Sequence, residues 1–151
     1  AAQGGLSRVG EARESLAAAE EMAREDGIED QLHHGTGKKV RELLQAVKMQ
    51  VDEVSAKFTS ATAEVARERG NAAFREGRFE DAASHYTNAL EHRPGWAVIY
   101  SNRCTAYLKL RRAAQALADA ERCIECAPDW WKGHVRLGEA CMMAGGASPA
   151  V

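Results

Sequence analysis

Proline is almost missing from this sequence, with three residues in 151, so little interrupts long helices. No apolar run approaches the ~20 residues that a membrane-spanning helix requires, and the opening AAQGGLSRVGEARESL has no hydrophobic stretch of the signal-peptide kind. The expectation is a cytoplasmic chain with no membrane contact. Excess charge of one sign is lacking too. Twenty Lys+Arg stand against twenty-two Asp+Glu, a formal charge of −2, so no global basic field draws the chain to nucleic acid. Any electropositive site has to be local. Cysteine is sparse and one-sided: Cys104, Cys123, Cys126 and Cys141 all lie in the second half, in segments that read as amphipathic helices, and are expected to be buried free thiols.

What is present is a soluble, helix-forming composition, 45% hydrophobic and 28% charged, with a length suited to one ordinary domain or a small domain carrying an extra helical segment. From Val40 the apolar positions run Val40, Leu44, Val47, Val51, Val54, Phe58, Ala61 and Val65, alternating steps of four and three. That is a heptad seam, the pattern of a helix packed along one narrow stripe against a partner. Val9, Ala12, Leu16, Ala19 and Ala23 repeat the spacing upstream with smaller residues. Asp26-Gly27 breaks the pattern, and Gly35-Thr36-Gly37 opens the next helix. Two arrangements fit: an intramolecular hairpin of about 6–26 against 38–65, or a coiled coil between two copies. Ser/Thr at 59, 60 and 62 lack a Glu or Gln three places on, so the second helix is expected to run uninterrupted into the C-terminal half.

The second half has a longer period. Setting Ala63–Trp96 over Ala97–Trp130 places Ala82 over Ala116, Ala89 over Cys123 and Pro94 over Pro128, a repeat of 34 residues, with a third copy starting at Trp131. Each unit divides into two helices. In the first, Ala63–Glu76 ends at Gly77, and Phe79–His92 stops at Pro94-Gly95. Gly70, Ala82 and Ala89 sit where helices must approach closely, and Phe74, Phe79 and Tyr86 fill the space between.

A 34-residue helical unit with Gly70, Phe79, Ala82, Tyr86, Ala89 and Pro94 at these places resembles the tetratricopeptide repeat over about residues 63–144. The second unit departs from the pattern at Arg111-Arg112, where a glycine turn is usual, and at Ala113, where an aromatic is usual. The implied fold is all-α: a helix-turn-helix superhelix of about two and a half repeats behind an N-terminal helical hairpin or coiled coil. The domain reading is 1–62 for that segment, 63–144 for the repeats (63–96, 97–130 and a partial 131–144), and 145–151 for a disordered tail.

In such an array the leading helices line one concave surface. Arg67 and Asn71 lie four apart on the first, Asn102 on the second, and Lys132 and Arg136, again four apart, on the third; pairs at that spacing share a helix face. Three cations and two amides facing a groove suit carboxylates, above all the end of a peptide chain. The segments RERGNAAF, YSNRCTAYLKL and DWWKGHVR resemble the carboxylate clamp of co-chaperones, which holds the C-terminal Glu-Glu-Val-Asp of the seventy- and ninety-kilodalton heat-shock chaperones. The resemblance implies that Lys132, Asn71 and Asn102 hold the terminal carboxylates while Arg67 and Arg136 contact nearby oxygens. The first clamp position is more often lysine; arginine keeps the charge and alters the geometry. Phe74 and Tyr107 are candidates for a pocket around the ligand's valine, with core packing as the competing explanation.

Other motifs carry less. Gly35-Thr36-Gly37-Lys38-Lys39 is like the end of a phosphate-binding loop but lacks the earlier glycine, position 32 being Leu. Cys123-Ile124-Glu125-Cys126 has a metal or redox half-site spacing but lies mid-helix with no second pair, and the adjacent His33-His34 would point in different directions on a helix or sit in a loop, so no metal or cofactor is expected. No nucleophile–base grouping points to an enzyme. The expectation is a peptide-binding co-chaperone module; the alternative is an assembly protein dimerising through 38–65 and docking a non-chaperone partner.

Overall fold

A computed structural model of the chain describes residues 2–25 and 36–146, all of them helix or short turn. Among the described residues six helices come in sequence: α1 Ala2–Glu25, α2 Thr36–Arg75, α3 Phe79–His92, α4 Ala97–Lys109, α5 Ala113–Cys126 and α6 Trp131–Gly146. None of the described helices is long and apolar enough to cross a membrane. The chain divides into two compact units, Ala1–Phe58 and Thr59–Val151. The Asp26-Gly27 break, the apolar Ile28 and Leu32, His33-His34 and Gly35 lie outside the described residues.

As the missing cap at 59–62 implies, α2 continues through Thr59 without a break to Arg75. In the first unit, Leu44, Val51 and Phe58 are half-buried, whereas Val40, Val47 and Val54 are 45%, 44% and 58% exposed. The seam is thus covered on one of its two rows. Leu16, Ala17 and Val51 line a shallow groove there, flanked by two cross-helix ion pairs, Arg13–Asp52 at 2.7 Å and Lys48–Glu20 at 3.5 Å.

The second unit is built from helix pairs whose small residues let backbones close on one another. Ala66, Ala73, Ala82, Tyr86, Ala89, Leu90 and Ile99 form one buried cluster, and Cys104, Ala116, Ala120 and Ala140 a second. Between α2 and α3, Gly77 adopts φ +77° and the chain closes with Arg78 N–H donating to the Ala73 carbonyl at 2.9 Å. Between α4 and α5 the same turn is made without glycine: Arg111 takes φ +59°, and Arg112 N–H donates to the Tyr107 carbonyl at 2.9 Å. The repeat geometry therefore holds where the sequence departs from its pattern, at the cost of a side chain in the left-handed region.

Two expectations need correction. Cys104 and Cys123 are buried, but Cys126 and Cys141 are exposed. On α6 the fully buried small residue is Ala140, and one further step around a helix carries Cys141 to the outside. The last helix also runs through Gly146, two residues into the stretch read as a tail; residues 147–151 lie outside the described residues.

Candidate functional site

A cleft of about 390 Å³ opens in the second unit, lined by Asn71, Phe74 and Arg75 of α2, Tyr86 of α3, Asn102 and Thr105 of α4, and Arg136 of α6. Among the described residues its lining holds two guanidinium groups and two amides and no carboxylate. Four of the seven residues singled out in the sequence meet here: Asn71, Phe74, Asn102 and Arg136. Helix spacing explains the additions. Arg75 lies one turn beyond Asn71, and Thr105 one turn beyond Asn102, so the same four-or-three rule that pairs Arg67 with Asn71 reaches them. Tyr86 has only a space-filling role in the sequence pattern, which carries no signal for its hydroxyl.

The polar groups of the cleft are ordered by one another. Tyr86, 2% exposed, donates its hydroxyl to Asn71 Oδ1 at 2.8 Å, and Asn102 Nδ2 lies 3.4 Å from the same oxygen. Burial pushes the Tyr86 hydroxyl above its ordinary range, which keeps it a proton donor. Thr105 Oγ1 donates to the Ser101 carbonyl at 3.0 Å. On Arg136, Nη1 donates to Glu139 at 2.6 Å while Nε is buried without a hydrogen-bond partner among the described residues. A buried donor left unmade costs about 1–3 kcal/mol, so an acceptor brought to this guanidinium gains more than a surface contact.

Arg67, Lys132 and Tyr107 are not among the cleft-lining residues. Arg67 lies 5.6 Å from the Trp96 ring centroid, its Nη2 on Glu68 and its Nε 3.2 Å from Glu64 Oε2 without the alignment of a hydrogen bond. Arg93 covers the same indole at 4.3 Å and also approaches Glu64, at 3.6 Å. The Lys132 ammonium sits 5.8 and 5.7 Å from the Trp130 and Trp131 ring centroids, and among the described residues no carboxylate pairs with it. Tyr107 packs on the second core cluster, with the Arg103 guanidinium 5.8 Å from its ring. Phe74 serves cleft and core together: it packs on the first cluster and meets Phe79 edge-to-face at 5.1 Å. Among the described residues no group of three or more His, Cys, Asp or Glu could hold a metal ion.

The tetratricopeptide repeat family model matches residues 63–96. An Hsp70-Hsp90 organizing protein of Triticum aestivum is 48% identical over 88 residues, 58% of this chain and 15% of that protein. The chain thus spans about one seventh of the length of that relative. Among solved structures, the first TPR of Spaghetti (RPAP3) bound to the HSP90 peptide SRMEEVD superposes with a TM-score of 0.56 at 29% identity, covering 58% of this chain and 69% of that one. The second TPR domain of human RPAP3, in complex with the HSP70 peptide SGPTIEEVD, gives a TM-score of 0.54 at 27% identity, covering 60% of this chain and 73% of that one. The chain carries a tetratricopeptide repeat domain homologous to a segment of the Hsp70-Hsp90 organizing proteins.

Proposed function

We propose that the repeat domain, residues 63–144, is a co-chaperone module that binds the acidic C-terminus of heat-shock protein 70 and 90 class chaperones, and that the chain acts in the cytoplasm as an adaptor and not as an enzyme. The observation that carries this reading is the composition of the cleft: Asn71, Asn102 and Arg136 on three successive leading helices, with no carboxylate among the lining residues. Charge-assisted donors in a partly desolvated cleft favour a terminal carboxylate over a neutral peptide segment. Support comes also from the two RPAP3 domains, which bind peptides ending in Glu-Glu-Val-Asp. Asn71 and Asn102 donate to the terminal carboxylates; Lys132, which has no acidic partner among the described residues, moves from its two indoles to join them. Arg136 and Arg67 take the neighbouring oxygens, each exchanging an internal carboxylate contact for one to the ligand. Phe74 provides the apolar wall for the valine, and Tyr107 acts by supporting the core behind it.

In the same reading α1 and the part of α2 up to Phe58 pair as an antiparallel hairpin. Arg13 pairs with Asp52 and Glu20 with Lys48, so positions rising along α1 meet positions falling along α2, as antiparallel helices require. The competing reading is an assembly protein that dimerises through 38–65, favoured by the exposure of Val40, Leu43, Val47 and Val54.

Calorimetric titration of the chain with SRMEEVD tests the proposal. Binding is expected to weaken about tenfold or more in Lys132→Ala and in Arg136→Ala, and to fall as salt rises. Affinity unchanged in both variants would sink it. A dimer that dissociates on dilution, with no peptide affinity, would favour the assembly reading.

A further inference from the structure

Asparagine is an ambiguous anion ligand. Its side chain presents a carbonyl oxygen and an amino group at the same distance from the backbone, and a flip between them turns a carboxylate-binding donor into a repelling acceptor. We infer that Tyr86 is a positioning residue that fixes the polarity of the Asn71 amide, turning its amino group towards the ligand carboxylate. The inference rests on the peptide-binding reading above.

Three contacts carry it. The Tyr86 hydroxyl, on a buried ring, donates to Asn71 Oδ1 at 2.8 Å. Flipping the amide would put an amino group where Tyr86 and Asn102 both donate, taking the acceptor from the Tyr86 proton and setting N–H against N–H at Asn102, a cost of the size of an unmade hydrogen bond. Asn102 Nδ2 approaches the same oxygen at 3.4 Å, so both remaining demands of the cleft interior fall on Oδ1, and the two N–H bonds of Asn71 are released for the ligand. Gly70 places the tyrosine. A Cβ at Gly70 would stand 2.6 Å from Tyr86 Cε1 and 2.7 Å from Cδ1, so glycine lets the ring come this close to α2 with its hydroxyl at Asn71. The chain of cause runs from a missing side chain, through a buried ring, to the orientation of one amide.

The test uses the whole chain in two measurements. First, the Asn71 side-chain amide resonances are followed by NMR in the free protein, wild type against Tyr86→Phe, which keeps the ring and removes only the oxygen. Second, SRMEEVD and its C-terminally amidated form are titrated into wild type, Tyr86→Phe, Asn71→Ala and the double variant. The Asn71 amide pair is expected to shift in Tyr86→Phe, and affinity for the free-acid peptide to fall about three- to tenfold, with no further loss when Tyr86→Phe is added to Asn71→Ala. Asn71→Asp, which keeps the acceptor for Tyr86 and replaces the outward donor, is expected to retain the fold and lose more than about tenfold. Unmoved Asn71 resonances, or an equal loss from Tyr86→Phe in both backgrounds, would overturn the inference while the wild type still binds. A wild type that does not bind SRMEEVD overturns the peptide-binding reading and the positioning role with it, an outcome distinct from the first.

Discussion

Arg103 grips Asp119 with two parallel hydrogen bonds, Nε to Oδ2 at 2.8 Å and Nη2 to Oδ1 at 2.7 Å, and with its remaining nitrogen donates to Thr87 Oγ1 at 2.9 Å. One side chain thereby joins α4 to both α5 and α3, tying the second repeat to the first. The pair is largely out of water, with side-chain exposures of 17% and 5%. Burial opposes the Arg103 charge, and the Asp119 hydrogen bond and charge more than restore it, leaving its pKa raised. Thr87 in turn donates to the Ala83 carbonyl at 2.9 Å, so each partner is itself held.

Removing one member of such a pair strands the other. Asp119→Ala is expected to cost about 3–5 kcal/mol, read as a lowered urea midpoint, whereas Arg103→Met with Asp119→Leu loses less than Asp119→Ala alone. Equal losses would mean that the ion pair is not the source of the effect.

Gly70 and Tyr86 set the closeness of α2 and α3. Gly70→Ala puts a methyl carbon within 2.6 Å of the ring, and the expected cost is about 1–3 kcal/mol in thermal or denaturant unfolding. Because the ring must move, SRMEEVD affinity should fall as well. Full stability in this variant would show that the contact is relieved by small shifts.

Arg111 occupies the left-handed position that Gly77 fills 34 residues earlier. Arg111→Gly removes a Cβ from an unfavourable conformation and is expected to stabilise the chain by up to about 1 kcal/mol, the larger chain entropy of unfolded glycine offsetting part of the gain. Gly77→Ala should move the unfolding midpoint the other way.

Burial pushes the Cys104 thiol up from 9.0 to about 12, and Cys123 in the same direction. Both are expected to resist alkylation in the native chain while the exposed Cys126 and Cys141 react, a pattern that mass spectrometry resolves. The same shift links stability to pH. The folded chain holds the Cys104 proton more tightly, so the stability this provides is complete below pH 9.0 and declines between pH 9.0 and about 12 as the unfolded thiol ionises first. Cys104→Ala should flatten that decline.

The helices are legible in the sequence because they are local: the 34-residue spacing of Ala82, Ala89 and Pro94, and the seam through Leu44, Val51 and Phe58, are statements about one helix face at a time. Asn71, Asn102 and Arg136 can be named from helix spacing, but the same spacing also names Arg67 and Lys132, one turn before Asn71 and Arg136, which do not line the cleft. The turn at Arg111 is harder to read, because a positive φ on a non-glycine residue is imposed by the closing hydrogen bonds and helix packing around it and not by its own preference. Cys141 differs from its expected burial by a single residue, a rotation of about 100° that periodicity over one short helix does not resolve.

By itself, then, the sequence determined which segments coil and where the stops at Gly77 and Pro94-Gly95 fall, because hydrophobic period, glycine and proline act within a few residues. Only the tertiary structure decided that Arg75 and Thr105 join the cleft, that Arg67 and Lys132 rest on tryptophans, and that the Tyr86 hydroxyl reaches Asn71. Those relations depend on distances between different helices, which are set by how closely Gly70 and the buried alanines allow their backbones to pack.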